Sequence, residues 1–544
     1  MQRRTFLGRL TGWGAGLLAL AGGGVWWWQQ KQPKSHFSGK LLGPDFKAGH
    51  RLRGKLIFSK PSLTEYYDCI IVGGGVSGLS AARWLQKNGM DNFRLLELEN
   101  HIGGNAFSGE NQFGKYPFGA HYLPVPNLNL KELLAFLEEN KILTGYDEKG
   151  LPVFDETYLC AEPEERLYIN GTWQEGLIPH FGVTDADKKQ IDAFLAKIEE
   201  FRLATGTDGK PAFAIPIDNS SEDEKYRQLD NINMLQWLEK EGLKSDCVKW
   251  YAEYGCRDDY GTNLQHTSAW AGIHYFAARK AKAANAESHD VLTWSEGNHF
   301  LVKLLESSVK EKCLTGKMVY EVKLAGEEVW IHWIDIVSGK TGRYIAKTCI
   351  MATPQFINQR LLPVSTQRDT DFYKQFTYSS WIVANITVKG MGIEPGKPLS
   401  WDNVFYDSHS LGYVDASHQH FSLLTKERVL TYYYPLTATD SITARKTAYT
   451  NDWQQWRKVI LEDLSKVHPW IEDEIISMDI WVWGHAMICP VPGFIWNKQR
   501  QQFGKSMDNK IFFAHTDLSG ISIFEEAFYA GVRVGKSVVE SVNV

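Results

Sequence analysis

A glycine-rich turn between an apolar run and a helix-like segment is the clearest chemical signal in the chain. Cys69-Ile70-Ile71-Val72 predicts a short buried parallel strand. Gly73-Gly74-Gly75-Val76-Ser77-Gly78 follows at once, a GxGxxG pattern through Gly73, Gly75 and Gly78. Residues 79–87 are helix-like and stop at Asn88-Gly89, and a second apolar run at 93–96 ends in Glu97. Gly73 allows the tight turn, Gly75 lets backbone approach a pyrophosphate, and Gly78 lets the helix pack close to the strand. Val76 and Ser77, within the glycine turn, are further cofactor candidates, and the free N–H groups of the helix start suit a diphosphate. Glu97 stands 19 residues after Gly78, where an acid accepts hydrogen bonds from a ribose. A lone GxGxxG is weak, but strand, glycines, helix, strand and acid in this order point to dinucleotide binding.

His101-Ile102-Gly103-Gly104-Asn105 comes next. With it the chain resembles the flavin amine oxidase superfamily, which includes phytoene desaturases. The resemblance implies FAD as the dinucleotide, with Gly103, Gly104 and Asn105 running along its diphosphate; Asn105 replaces an arginine usual there. Ala120-His121-Tyr122 resembles the stretch that approaches the flavin. Met318 to Val322 resembles the segment whose backbone meets adenine, at Val319. Cys349 to Pro354 is similar to a strand ending in Ala-x-Pro. Ile511 to Asp517 and Glu525 to Gly531 are similar to the closing motif, in which Asp517 takes the acid position and His515 stands for a glycine. The implied fold class is α/β: a Rossmann-like FAD-binding domain with an inserted α+β substrate domain.

The motifs are dispersed, so the FAD-binding domain is expected to be discontinuous: 66–125, 290–360 and 500–544. The insertions, 126–289 and 361–499, form the expected substrate domain. The first is helix-like at 130–140, 186–202 and 233–241. The second holds alternating runs at 381–388 and 429–434 that predict strands.

FAD carries the redox chemistry, and the protein orients the substrate. The resemblance yields pocket candidates rather than a catalytic group: His485, Tyr433, Ile523, Phe524 and Val383. Ile523 falls where related amine oxidases place a cage aromatic. The strand at 380–385 lacks the lysine those oxidases hold near the flavin, which favours a dehydrogenase. A covalent flavin link through His485 or Cys489 is weighed against a non-covalent one, which is favoured. Cys256-Arg257-Asp258-Asp259-Tyr260 is a dense polar group that could bind a cationic substrate, but a surface loop with a local ion pair is the favoured reading. No metal cluster follows from spacing.

Of 544 residues, 43% are hydrophobic and 23% charged, which excludes disorder and a multi-span membrane protein. Seven cysteines without a CxxC pair exclude a disulfide scaffold and a zinc module; a Cys247–Cys256 bond is left open by spacing. The first 44 residues hold six basic side chains and no acid. The remainder has 53 basic against 64 acidic residues, or −11, which argues against nucleic acid and is compatible with a cationic small-molecule substrate, for which the resemblance implies an amine. Arg3-Arg4-Thr5-Phe6-Leu7 with Arg9 just after, then an uncharged run from Leu10 to Gln30, resembles a twin-arginine export signal. Residues 1–30 are therefore expected to engage the twin-arginine (Tat) export machinery or to stay as one membrane anchor facing the periplasm, and 31–65 reads as a linker. The expected function is an exported FAD-dependent amine oxidoreductase. A polyene desaturase or isomerase and a non-catalytic flavin protein are the alternatives.

Overall fold

A computed structural model describes residues 37–54, 60–363, 371–419 and 426–542. The chain divides into units 1–38 and 39–544. The architecture below is that of the second unit, and the expected export signal lies outside the described residues.

The glycine motif belongs to a seven-stranded sheet. Leu63–Val72 pairs in parallel with Phe93–Leu96 on one side and Thr341–Met351 on the other. Ile511–Phe513 joins the end of Thr341–Met351, also in parallel. Consecutive apolar residues such as Ile70, Ile71, Cys349 and Ile350 are all buried, as a sheet covered on both faces requires. Glu328–Asp335 and Lys317–Ala325 extend the sheet as an antiparallel arm. Met318 to Val322 thus lie in the first strand of this arm.

Helix Val76–Lys87 begins directly after Gly75 and buries Leu79, Ala82 and Leu85 against the sheet. The C-terminal helix Phe524–Val542 lies against it so closely that a Cβ on Gly531 would stand 2.2 Å from the Ser77 carbonyl oxygen. Segments far apart in sequence therefore build one nucleotide-binding layer.

A second sheet has eight strands, in the order Leu41–Leu42, Ile475–Trp483, Trp381–Val388, Arg428–Pro435, Tyr413–Asp415, Asp402–Phe405, Glu165–Ile169, Thr172–Glu175. Trp381–Val388 is buried at every position, because it is flanked by antiparallel strands on both sides and covered on both faces. The edge strand Leu41–Leu42 comes from the expected linker and runs parallel to Ile475–Trp483. Helix Phe46–His50 and the turn Arg51–Arg53 follow it. The linker reading is corrected for 39–54: these elements are too short to show a period, and tertiary contacts hold them.

A helical layer contains Lys131–Glu139, Asp185–Leu203, Met234–Lys240, Asp246–Tyr260 and Ala269–Ala277. Asp185–Leu203 opens with a capping box between Thr184 and Asp187. All seven cysteines are free. Cys247 and Cys256 share the helix Asp246–Tyr260, where nine residues of rise separate them by about 13 Å, beyond disulfide reach. Among the described residues, no helix is long and apolar enough to cross a membrane.

Candidate functional site

The glycine turn opens into a groove of about 840 Å³. Of the sequence-predicted cofactor residues, Gly73, Gly75, Val76, Ser77, Glu97, Gly103, Gly104, Asn105, Val319 and Asp517 all line it. Gly78 does not; it packs beneath the turn, where a Cβ would lie 2.0 Å from the Gly73 carbonyl oxygen. Gly73 has φ 107°, a left-handed conformation that favours glycine. Gly75 differs from both: a Cβ there would meet no atom within 4 Å, so its backbone faces open groove. Open space at the start of a helix, beside free N–H groups, is what a pyrophosphate needs.

Glu97 accepts hydrogen bonds from the N–H groups of Gly74 (2.7 Å) and Glu99 (2.9 Å), which fixes the acid at one end of the groove. Burial pushes its carboxyl above the usual range in spite of these bonds. Asp517 accepts from the Gln355 N–H and the Tyr378 hydroxyl, and lies 3.1 Å from His515 Nδ1. Burial acts to raise its pKa, but the His515 charge and the hydrogen bonds outweigh it and hold the carboxyl below its ordinary value. Asn105 uses its side-chain amide to donate to the Ala486 carbonyl, so it ties the diphosphate loop to the second sheet's following segment.

A smaller cavity of about 150 Å³ adjoins the groove. Asn105, Ala120, Asn298, Trp483, Ile523 and Phe524 line both and mark the junction. Asn298 is buried; its amide donates to the Tyr122 carbonyl, but its Oδ1 has no hydrogen-bond partner. A buried acceptor left unpaired at a junction of cavities suits a ligand N–H.

Among the predicted pocket candidates, Val383 and Tyr433 line the small cavity, Ile523 and Phe524 line both, and His485 lines the groove alone. The Tyr433 hydroxyl donates to the Gly119 carbonyl (2.9 Å), and its ring stacks on His121 at 4.6 Å. Burial lowers His121 to about 3. His485 stacks on Phe356 at 4.2 Å, and burial, then Arg445 and Arg53, lower it to about 3. Both imidazoles are therefore neutral at physiological pH. Cys489 lines neither cavity; its thiol faces the Tyr260 carbonyl.

The far side of the small cavity is acidic: it holds Asp258 and Asp259, for which the sequence favours a surface loop over a cation site, and Asp402 and Glu525, which sequence reasoning missed. Asp258 and Asp259 end the helix Asp246–Tyr260, so the expected surface loop is corrected: Asp259 and Tyr260 are buried, and Asp258 faces the cavity. The reason is tertiary, since Ala269–Ala277 packs across this helix and covers it. Asp258 accepts hydrogen bonds from the hydroxyls of Tyr275 (3.1 Å) and Tyr122 (3.3 Å). Asp402 accepts from Tyr254 (3.2 Å). Asp259 is neutralised by Arg279, which reaches both its oxygens at 3.1 Å. Glu525, on the closing motif, completes the set. Burial, then neighbouring acids, push Asp258 and Asp402 well up from the carboxylate range. Burial raises Glu525 to about 7, opposed by Arg279. Among the described residues, Arg279 is the one arginine lining this cavity, and no lysine lines it. Carboxyls held out of water with a single, already paired cation create a site that gains from an incoming positive charge.

A dinucleotide-binding α/β layer of the Rossmann type is thus joined to a sheet-backed pocket. Residues 71–137 match the family model of the NAD(P)-binding Rossmann-like domain. A solved variant of putrescine oxidase superposes with a TM-score of 0.66 at 15% identity, covering 88% of this chain and 100% of that one. Among curated proteins, the flavin-containing amine oxidase of Oncorhynchus mykiss is 39% identical over 118 residues, 20% of this chain and 22% of that protein. The L-amino acid dehydrogenase of Synechocystis is 23% identical over 294 residues, 54% of this chain and 57% of that protein. The chain thus spans less than two thirds of the length of these curated relatives.

Proposed function

We propose that the chain is an FAD-dependent oxidoreductase that oxidises a small cationic amine, acting as a dehydrogenase. The acidic pocket next to the dinucleotide groove carries this reading. The amine oxidases among its relatives and the fold shared with putrescine oxidase support it. FAD fits the groove: its volume is within the range of about 300–1,000 Å³ usual for cofactor sites, and Gly75, the helix start and unpaired Asn298 Oδ1 offer it contacts.

When bound, FAD supplies the acceptor for two electrons and the hydrogen on the carbon beside the amine nitrogen. The chain's own residues do the rest. An entering ammonium is held by the carboxylates of Asp258 and Asp402, whose tyrosine partners keep them aimed into the cavity. Oxidation requires the free amine, so one proton must leave nitrogen; carboxyls raised toward neutrality accept it at lower cost than ordinary ones. Val383, Tyr433, Trp381 and Phe524 form apolar walls that limit water at the reacting carbon. A cavity of about 150 Å³ with an acidic end suits a short amine and disfavours a long polyene.

The twin-arginine-like start supports the further proposal that the protein is exported, with the N-terminal stretch cleaved or kept as an anchor. Replacing Arg3 and Arg4 by lysine should leave the protein in the cytoplasmic fraction.

The test of function is an anaerobic visible spectrum of the purified protein before and after a panel of mono- and polyamines. Bleaching of the flavin band supports amine oxidation, and readmitted air separates oxidase from dehydrogenase. A band that no amine bleaches overturns the substrate reading.

A further inference from the structure

The short folded segment from Asp45 to Arg53 lies along the dinucleotide groove. At its start, the Asp45 N–H donates to Glu99 Oε1 (2.8 Å), two residues beyond the groove's acid Glu97. The Asp45 carboxylate caps the helix by accepting from the Ala48 N–H (2.9 Å). Gly49 faces Leu98, whose side chain lies 3.9 Å from where a Cβ would be. Phe46 packs its ring 4.7 Å from that of Tyr449, on the helix Ser441–Thr450. The segment therefore bridges the groove, from the acid end to a helix of the second sheet's layer.

That bridge brings a group of cations together. Arg53, Arg360, Arg445 and Lys446 all line the groove. Among the described residues, none of them forms an ion pair with a carboxylate; Arg445 is half-buried and the other three are exposed. Arg445 is fixed by donating to the carbonyls of Gly484 (2.8 Å) and Tyr378 (3.3 Å), contacts that leave its charge uncompensated. After burial, Arg53 and Arg360 lower the pKa of His50, and Arg445 and Arg53 that of His485; these residues and Lys446 all line the one groove. The same groove is lined by Glu97 and Glu99 at the Asp45 end and by Trp483 and Ala486 at the junction with the small cavity. A dinucleotide spanning those ends has its two phosphates in the middle. The loop residue Asn105 offers no charge there, and a helix start contributes only about half a positive charge.

We propose that residues 45–53 form a clasp over the bound dinucleotide, and that Arg53, with Arg445 and Lys446 from the facing helix, supplies the positive charge for its diphosphate. The proposal rests on the FAD reading above. Phosphate oxygens favour such cations through charge-assisted hydrogen bonds. The phosphate chemistry has two sources, the cofactor or a free anion, and the experiment separates them.

The test uses the full chain, stripped of flavin reversibly and titrated with FAD while flavin fluorescence is followed. Arg53 and Lys446 are exposed, so Arg53→Gln and Lys446→Gln are compatible with the fold. Each should weaken FAD binding about tenfold and flatten its dependence on salt, the size of one charged contact. Riboflavin, which has no phosphate, should bind all variants alike. Phe46→Ala should speed FAD release without touching a charge. Unchanged FAD affinity and salt dependence in Arg53→Gln overturn the clasp. So does inorganic pyrophosphate that binds the FAD-loaded protein and is lost in Arg53→Gln, since the cations would then serve a separate anion. A wild-type chain that takes up no FAD overturns the underlying FAD reading instead.

Discussion

Replacing Asp258 by asparagine probes the acidic pocket directly. Asparagine keeps an oxygen to accept from Tyr122 and Tyr275 but removes the charge. A substrate ammonium about 4 Å from a carboxylate, at an effective dielectric of about 20, gains about 4 kcal/mol. Part of this is spent on ionising a carboxyl that the empty pocket holds up, mostly through burial and then through Asp259. A net loss of about 2–3 kcal/mol remains, or about 30- to 150-fold in affinity. The assay is anaerobic flavin reduction in a rapid-mixing instrument, with substrate Kd taken from the concentration dependence of the rate. FAD content and the resting spectrum should match the wild type. Because the carboxyl is raised, amine affinity in the wild type should fall as pH drops through neutrality, and this dependence should weaken in Asp258→Asn. An unchanged amine Kd with an unchanged pH profile would refute the assignment of Asp258 to the substrate cation.

Glu525 sits at about 7 against an ordinary 4.5, so the folded chain binds more protons than the unfolded one between those values and loses stability as pH rises through that window. Glu525→Gln should match the wild type below pH 4.5 and exceed it at pH 8 by up to about 3 kcal/mol, read by denaturant unfolding of the flavin-free protein. Gly75→Ala should leave apoprotein stability unchanged but weaken FAD binding at least about tenfold, because its Cβ enters open groove. Gly78→Ala should instead destabilise by about 1–3 kcal/mol, because its Cβ meets the Gly73 carbonyl. Thiol titration of the unfolded, unreduced protein should count all seven cysteines; a count of five would reveal a disulfide.

The nucleotide half of the site was legible because its chemistry is local. Gly73, Gly75 and Gly78 are set by a turn and a helix start, and the helix itself needed only a correction of three residues at its start. Strands such as Trp381–Val388 and helices such as Asp185–Leu203 also show in their patterns, since burial writes a period into the sequence. Val319 and Asp517 were reached through resemblance, not pattern, because contacts from separate strands leave no spacing to read.

What the sequence by itself determined, then, is the strand–turn–helix that faces a dinucleotide and the periodic elements around it, where each residue's role depends on its near neighbours. Only the tertiary structure decided the rest. It turned an apparent surface loop at Asp258 into a pocket wall, because Ala269–Ala277 packs over the helix that carries it. It brought residues 44–53 to the groove through the edge pairing of Leu41–Leu42 with Ile475–Trp483 and a hydrogen bond from the Asp45 N–H to the Glu99 carboxylate. It gathered Asp258, Asp402 and Glu525 from distant parts of the chain around one cavity, where exclusion of water, absent from any local pattern, gives ordinary carboxyls their raised pKa values.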